Sequence, residues 1–261
     1  MFQPVLPQGG IAGWRFLERT LDTQQDAFAK SAVNDRALTY FRENIGEVET
    51  AEQLVADRQL REVALAAFGL SDDIDSTFFI QKVLSEGTYD NDALANRLSD
   101  RRYFDMARAF GFDEPLFPNT KVPGFADRIE ARFREQSFEA AVGQADNSMR
   151  LALNAKRELA DVVTGEGSEN SKWFTIMGTP PLRSVLEGAL GLPASFGALD
   201  IDRQLEVFKD RAAGAFGIAD VSELAEADTL SRVIDLYLVR AGTQSGAGGP
   251  TSPALQLLRG F

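Results

Sequence analysis

The chain contains neither histidine nor cysteine among its 261 residues. Without cysteine it can form no disulfide bond, no thiolate nucleophile and no cysteine-ligated zinc centre. Without histidine it lacks the commonest general base and the commonest metal ligand, so an enzyme would have to rely on carboxylates, Lys, Tyr or a Ser-Lys pair. We therefore predict no catalytic residues, no metal ligands and no cofactor site.

Long apolar runs are missing as well. No window approaches the roughly 18 apolar residues that a membrane-spanning helix needs, so no transmembrane segment is expected. The N-terminus, Met1–Pro7, has no basic region and no continuous apolar stretch, which argues against a cleavable signal peptide. The net charge of −12 would repel nucleic acid and anionic membranes. A soluble protein that binds no nucleic acid and does not insert into a membrane is the expectation.

Tyrosine and tryptophan are scarce, but phenylalanine is abundant. The chain has 19 Phe against 4 Tyr and 2 Trp, and 44% of its residues are apolar. Phenyl rings bury large areas without needing a hydrogen-bond partner. This composition predicts a globular protein whose core is built largely from Phe side chains.

The triplet Ala-Phe-Gly followed by an apolar residue occurs three times, at residues 67–70, 109–112 and 215–218. Each copy follows a helical pattern. A glycine that can adopt a positive φ, between two large apolar residues, is typical of a helix C-cap closed by a hydrophobic contact. The first two copies also share a lead-in in which Leu precedes an Asp-Arg pair. We interpret the three copies as quasi-repeated helix modules.

Apolar residues recur throughout at helical spacings, and no segment shows convincing period-two alternation. We predict an all-α fold, an elongated bundle of nine to twelve helices. Residues 125–163 contain no proline and carry an apolar stripe with steps of three to five, which predicts one long spine helix. A break near Gln136 or Gly143 is the alternative, because the five-residue step interrupts the stripe.

The predicted organisation has three parts. Residues 1–12 form an N-terminal loop, residues 13–241 form one all-α domain, and residues 242–261 form a flexible tail. The domain has two possible lobes, 13–114 and 168–241, joined by the helix over 125–163. Residues 113–124, with three prolines, are the longest non-helical connection in the interior.

The tail ends in a small apolar patch beyond a Gly-rich linker. Such a tethered cluster could dock onto its own domain or onto a partner, and the sequence favours neither. The predicted partner-binding residues are Leu255, Leu257, Leu258 and Phe261.

Other motifs have structural explanations that we prefer to functional ones. The acidic clusters at 72–75 and 90–92 lack the ligand spacing of a calcium loop, so we assign them to helix capping. The segment 165–170 lacks the third glycine of a phosphate loop and predicts a helix end. The Asp-Arg pairs predict repeated structural ion pairs near helix ends. Trp14 and Trp173 are expected to anchor the core rather than to stack on a ligand.

Several motifs stand in a characteristic order along the chain: Gly13–Leu17, Tyr40–Arg42, Ala64–Leu70, Leu98–Tyr103, Asn147–Leu151, Trp173–Met177 and Leu190–Pro193. This succession resembles a bacterial domain-of-unknown-function family whose members are often encoded among flagellar genes. The resemblance spans about residues 10 to 240, and the family has no established catalytic residues to carry over.

The resemblance implies a non-enzymatic protein that acts through contacts with other flagellar proteins, in the cytoplasm or associated with the flagellum. Two alternatives remain open at this point. One is an exported axial or basal-body component. The other is an all-α enzyme that uses carboxylates.

Overall fold

The computed structural model describes residues 2–114 and 116–247. These residues form thirteen α-helices and five short 3₁₀ helices, and no strand occurs among them. The prediction of an all-α, multi-helix protein is confirmed. None of the helices in the described ranges is long and apolar enough to cross a membrane.

The helices fall into two compact units. Within the described residues, unit 1 comprises the segment up to Val5 and Thr20–Ala141, and unit 2 comprises Leu6–Arg19 and the chain from Val142 onward. The first eight helices are α1 Gly10–Ala29, α2 Ala32–Asn44, α3 Ala51–Ala56, α4 Arg58–Ala67, α5 Thr77–Glu86, α6 Leu94–Arg97, α7 Arg101–Phe110 and α8 Phe125–Ala145. The remaining five are α9 Asn147–Thr164, α10 Glu169–Gly178, α11 Pro180–Leu190, α12 Ile201–Phe216 and α13 Ala227–Ala247. The 3₁₀ helices are Ile45–Glu47, Ser71–Asp73, Asn119–Lys121, Ala194–Ala198 and Val221–Ala225.

Unit 1 has a core rich in phenyl rings, as the composition predicts. Phe110 is fully buried and lies 5.2 Å, centroid to centroid, from Phe125 in an edge-to-face arrangement. It also lies 6.3 Å from Phe68. These separations are typical of favourable aromatic pairs. Aliphatic side chains of α3, α4 and α5 surround the rings and complete one continuous core.

Unit 2 is organised in part around Trp173 and Phe208. Their rings lie 6.3 Å apart, and Phe196 packs edge-to-face on Phe208 at 5.1 Å. In the same unit, α11 approaches α13 closely at Gly188. A Cβ atom there would lie 2.7 Å from the Tyr237 ring, so the contact requires glycine.

The three Ala-Phe-Gly modules end as predicted. Gly69, Gly111 and Gly217 have φ values of +68°, +57° and +75°, which L side chains rarely adopt. The apolar residue that follows is buried in the first and third copies and half-buried in the second. In the first copy the amide of Leu70 donates to the carbonyl of Leu65 at 2.9 Å, which closes a Schellman-type end.

The predicted spine over 125–163 is two helices and not one. Asp146 separates α8 from α9 with φ −149° and ψ 103°, an extended conformation that ends the helix. Its carboxylate accepts hydrogen bonds from the amides of Ser148 and Met149 at 2.9 and 3.2 Å and so caps α9. The break lies three residues beyond Gly143, one of the two positions considered, because a local cap competes with the continuous helix.

A second aspartate explains why there are more helices than predicted. The capping box at Thr50 and Gln53 forms as predicted, but α3 ends at Ala56. Asp57 then adopts an extended conformation and caps α4 by accepting from the amides of Gln59 and Leu60. The segment predicted as one helix up to Gly69 is therefore two.

Both ends of the predicted domain need correction. Helix α1 begins at Gly10, inside the predicted N-terminal loop of residues 1–12. Helix α13 continues to Ala247, inside the predicted tail of residues 242–261. A glycine within a helix costs only about 1 kcal/mol relative to alanine, so Gly242 weakens the helix without ending it.

Candidate interaction surface

The predicted partner-binding residues Leu255, Leu257, Leu258 and Phe261 lie outside the described residues. Their role as a docking segment stays a prediction.

Two clefts in the described chain differ in chemistry. A cleft of about 170 Å³ in unit 1 is lined by charges of both signs, which include Asp26, Asp35, Lys30, Arg42 and Arg134. A wider one of about 470 Å³ in unit 2 is lined mainly by small residues, with the Tyr237 ring and Asp146. The carboxylate of Asp146 already caps α9. The first cleft contains two carboxylates, Asp26 and Asp35, beside three cations, and Asp26 pairs with Lys30 at 4.0 Å.

The pKa values of the Asp100 and Asp220 carboxyl groups are both lowered. The Arg102 guanidinium hydrogen-bonds to Asp100 and holds the pKa of that carboxyl below its ordinary value. A hydrogen bond from the Ser222 hydroxyl does the same for the pKa of Asp220. A general acid needs the opposite shift, so these two groups are structural anions.

The acidic clusters and the Asp-Arg pairs have structural partners. Asp73 accepts a hydrogen bond from the Tyr103 hydroxyl at 2.7 Å, and Asp75 pairs with Arg58 at 3.4 Å, so capping was the wrong explanation for this cluster. In the cluster at 90–92, Asp90 accepts from the amide of Asp92 and closes a local turn. Capping was the wrong explanation here too, because the N-cap of α6 is Ala93 and has no side-chain hydrogen bond. Across the residues that the structure covers, no group of three or more acidic side chains could hold a metal ion.

The predicted ion pairs between adjacent Asp and Arg residues are wrong in their partners. Asp57 accepts from the Tyr40 hydroxyl at 2.7 Å. Asp100 pairs with Arg102 and not with its neighbour Arg101. Both aspartates are N-caps, of α4 and α7, since their carboxylates accept from amides in the first turn of each helix. The adjacent arginine points in a different direction and does not pair with its neighbour. Trp14 and Trp173 are both fully buried, as predicted for core anchors.

Two neighbouring segments of unit 1 carry large apolar side chains that the fold leaves exposed. Leu116 and Phe117 are 88% and 54% exposed in the connection between α7 and α8, and Tyr89 is 68% exposed after α5. The hydroxyl of Tyr89 donates to Glu114 Oε2 at 3.0 Å, which places it two residues from Leu116 along the chain. We call these three residues the apolar tip.

The turn that carries Tyr89 is hydrogen-bonded to the loop that carries Leu116 and Phe117. One carboxylate oxygen of Asp113 accepts from the amides of Thr88 and Tyr89 at 2.8 and 3.2 Å. Gly87 makes this approach possible, because its φ is +63° and a Cβ atom there would lie 1.8 Å from Asp113 Cγ.

The loop between α7 and α8 is also held by hydrogen bonds on the C-terminal side of Phe117. The side-chain amide of Asn119 donates to the carbonyls of Arg108 and Ala109, at the end of α7, at 3.3 and 3.2 Å. A Cβ atom on Gly111 would lie 2.7 Å from this amide nitrogen, so the left-handed glycine of the second module is needed here too. The apolar tip is therefore presented between two hydrogen-bonded anchors.

The surroundings of the apolar tip are acidic. Asp90, Asp92, Asp113 and Glu114 border it in sequence or in hydrogen bonding, and none forms a salt bridge within the described part of the chain. Hydrogen bonding to Glu114 raises the pKa of the Tyr89 phenol, and the charges of Glu114 and Asp113 add to this. The phenol therefore stays neutral well above physiological pH.

The apolar tip is not apparent from the sequence. One signal was available, since Leu116 and Phe117 stand between two prolines in the longest non-helical connection. A pair of large apolar residues in such a segment has no helix face on which to be buried. Tyr89 gave no comparable signal, because its position next to the loop depends on Asp113.

The chain matches one known protein family over most of its length. Residues 67–230 match the family described as Protein of unknown function (DUF1217). The chain belongs to this family. The matched DUF1217 segment contains all three residues of the apolar tip. No curated protein matches the chain.

The chain is also similar to a solved structure, the X-ray crystal structure of Protein AGR_C_984 from Agrobacterium tumefaciens. The TM-score is 0.73 at 24% sequence identity, over 94% of this chain and 98% of that one. At this identity the similarity shows a shared fold.

Proposed function

We propose that the chain is a non-enzymatic protein that takes part in flagellar assembly or structure by binding other flagellar proteins through the apolar tip. It acts in the cytoplasm or in association with the flagellum. The flagellar part of this proposal rests on the resemblance carried by the motifs between Gly13 and Pro193.

The observation that supports protein contact is the exposure of Tyr89, Leu116 and Phe117 on an anchored loop. Exposed apolar residues that occur singly are common, but a neighbouring group held in place by specific hydrogen bonds is typical of an interaction surface. The hydrogen bonds that Asp113 accepts and those that Asn119 donates restrict the loop before any partner arrives, which lowers the entropic cost of binding.

The size of the apolar tip fits a reversible contact. Full burial of a large apolar side chain contributes roughly 1.5–3 kcal/mol, so three contribute roughly 5–9 kcal/mol before the costs of association. A micromolar dissociation constant corresponds to about 8 kcal/mol. The apolar tip alone therefore supports a weak or transient complex, as expected for an assembly factor.

A complementation experiment tests the proposal. In the bacterium of origin the gene is deleted, and the wild-type gene or a Leu116→Ser/Phe117→Ser variant is returned. We expect the deletion to impair motility, the wild type to restore it and the double variant to fail at equal protein level. Phe78→Ser is the matched control, because Phe78 is 80% exposed at the start of α5, away from the apolar tip.

Normal motility and a normal basal body in the deletion strain would refute the flagellar role. Fractionation adds a second test. Detection of the protein in purified hook–basal bodies but not in the cytosol would favour an exported component instead.

A further inference from the structure

The carboxylates beside the apolar tip indicate what kind of protein it binds. We propose that the partner is a protein segment in which Lys or Arg side chains flank the apolar residues that contact Tyr89, Leu116 and Phe117. The inference rests on the proposed function, in which the apolar tip is a protein-binding surface.

The first step is the local charge. Asp90 and Asp92 are exposed and follow Tyr89 directly in the chain, and Glu114 binds the Tyr89 hydroxyl. The hydrogen bonds of Asp113 come from neutral amides, so its negative charge is not neutralised. Four carboxylates thus surround the apolar tip without a salt-bridge partner in the described chain.

The second step is the supply of cations nearby. Lys82 on α5 pairs with Glu86 at 3.7 Å, and Lys121 after the loop pairs with Glu49 at 3.1 Å. Among the exposed arginines on α6 and α7, Arg102 pairs with Asp100. The other three, Arg97, Arg101 and Arg108, offer three positive charges against four negative ones. The region keeps an excess of negative charge, which a basic partner would neutralise.

The third step is the wider field. Between Glu43 and Asp100 thirteen acidic residues stand against four basic ones, so most of the net charge of −12 lies in unit 1. Such a field speeds the approach of a basic partner and slows that of an acidic one. A second copy of this chain, a nucleic acid or an anionic membrane would each be repelled from the same surface.

Site-specific crosslinking tests the partner's chemistry in cells. A photoreactive phenylalanine analogue replaces Phe117, and the crosslinked peptide of the captured protein is identified by mass spectrometry. We expect that peptide to combine apolar residues with Lys or Arg and to have a positive net charge. We also expect Asp90→Asn/Asp92→Asn to reduce the crosslink yield.

The control removes the same charge elsewhere in unit 1. Asp72→Asn/Asp75→Asn lies just before α5, whose ten residues span about 15 Å and separate it from the apolar tip. This control should leave the crosslink yield unchanged. A uniform effect of both variants would mean that only the overall charge matters, and it would overturn the assignment of the partner to these carboxylates.

A purified assay gives the magnitude. The full chain is titrated with a short synthetic amphipathic helix of Leu and Lys, and with an analogue in which Glu replaces Lys, with fluorescence anisotropy as the readout. Exposed ion pairs contribute modestly, so Asp90→Asn/Asp92→Asn should weaken binding roughly two- to tenfold, and added salt should weaken the wild type similarly. The Glu analogue should bind more weakly than the Lys peptide.

The failures of the two proposals are distinguishable. A crosslinked partner peptide that is neutral or acidic, or a yield indifferent to Asp90→Asn/Asp92→Asn, would overturn this inference and leave protein contact at the apolar tip intact. No protein crosslink at position 117, at normal expression and normal fold, would overturn both.

Discussion

Replacement of Gly87 by alanine should destabilise unit 1 and disconnect the two segments that build the apolar tip. Gly87 has φ +63° and ψ −142°, a region that is nearly restricted to glycine. A Cβ atom at this position would lie 1.8 Å from Asp113 Cγ and 1.9 Å from one of its carboxylate oxygens. Asp113 must therefore move away, and its hydrogen bonds to Thr88 and Tyr89 break.

The expected magnitude follows from these two effects. Backbone strain in this region costs about 1–3 kcal/mol. Loss of a hydrogen bond to a charged group costs about 1.5–3 kcal/mol, and we count it once because the amide of the exposed Tyr89 regains water. The sum is about 2.5–6 kcal/mol, a large share of the 5–15 kcal/mol that is typical of a folded domain.

Urea denaturation followed by far-UV circular dichroism measures the free energy of unfolding. Gly46→Ala is the matched control in the same unit, because no atom lies within 4 Å of its added Cβ and its φ is not positive. That variant should change the free energy of unfolding by less than about 1 kcal/mol.

A double-mutant cycle then isolates the contact. Asp113→Ala alone loses the hydrogen bonds, but it also removes the atoms that the new methyl group would meet. The double variant Gly87→Ala/Asp113→Ala should therefore cost about 1.5–3 kcal/mol less than the sum of the two single variants. The close contact between Gly87 and Asp113 would be refuted by either of two results. One is a free energy of unfolding for Gly87→Ala that equals that of Gly46→Ala. The other is additivity of Gly87→Ala and Asp113→Ala in the double variant.

Three further predictions concern other parts of the fold. Asp146→Ala removes the N-cap of α9 and should lower the free energy of unfolding by about 0.5–2 kcal/mol. Asp161→Ala, at an exposed position of the same helix, should leave this free energy nearly unchanged. Equal effects of the two variants in urea denaturation would refute the capping role. Burial, and then a hydrogen bond to Asp73, raise the pKa of Tyr103 from 10.0 to about 12, so its contribution to stability is complete below about pH 10 and is lost as the pH rises through 12. Tyr103→Phe should flatten this fall in a series of unfolding curves at alkaline pH, and an unchanged slope would contradict the shift. Gly214→Ala within α12 should raise the free energy of unfolding by about 0.5–1 kcal/mol, whereas Gly217→Ala at the left-handed C-cap should lower it by about 1–2 kcal/mol. If both variants shift the melting temperature in the same direction, the C-cap role of Gly217 is refuted.

The sequence by itself determined the features that depend on residues close together in the chain. Apolar periodicity predicted the all-α class because a helix face repeats every 3.6 residues. The three Ala-Phe-Gly ends were predictable because a left-handed cap needs glycine at one position and apolar residues beside it. The capping boxes at Thr50 and Asp220 were predictable for the same reason, because each depends only on a capping side chain and on Gln53 or Glu223 three residues later.

The breaks at Asp57 and Asp146 were harder to predict, although they too are local. An aspartate on the exposed side of a helix has the same neighbours in sequence as an aspartate that caps the next helix. Packing decides between the two, because the chain must turn where Tyr40 can reach Asp57 and where Met149 is to be buried.

The apolar tip was decided by the tertiary structure alone. Tyr89 and Glu114 are far apart in the sequence, and they meet because Asp113 accepts hydrogen bonds from a turn that only Gly87 can form. No periodicity encodes such a contact, since it depends on where α5 and α7 end relative to each other. The sequence contains the exposed side chains and the acidic residues, and tertiary hydrogen bonds bring together the two segments that carry them.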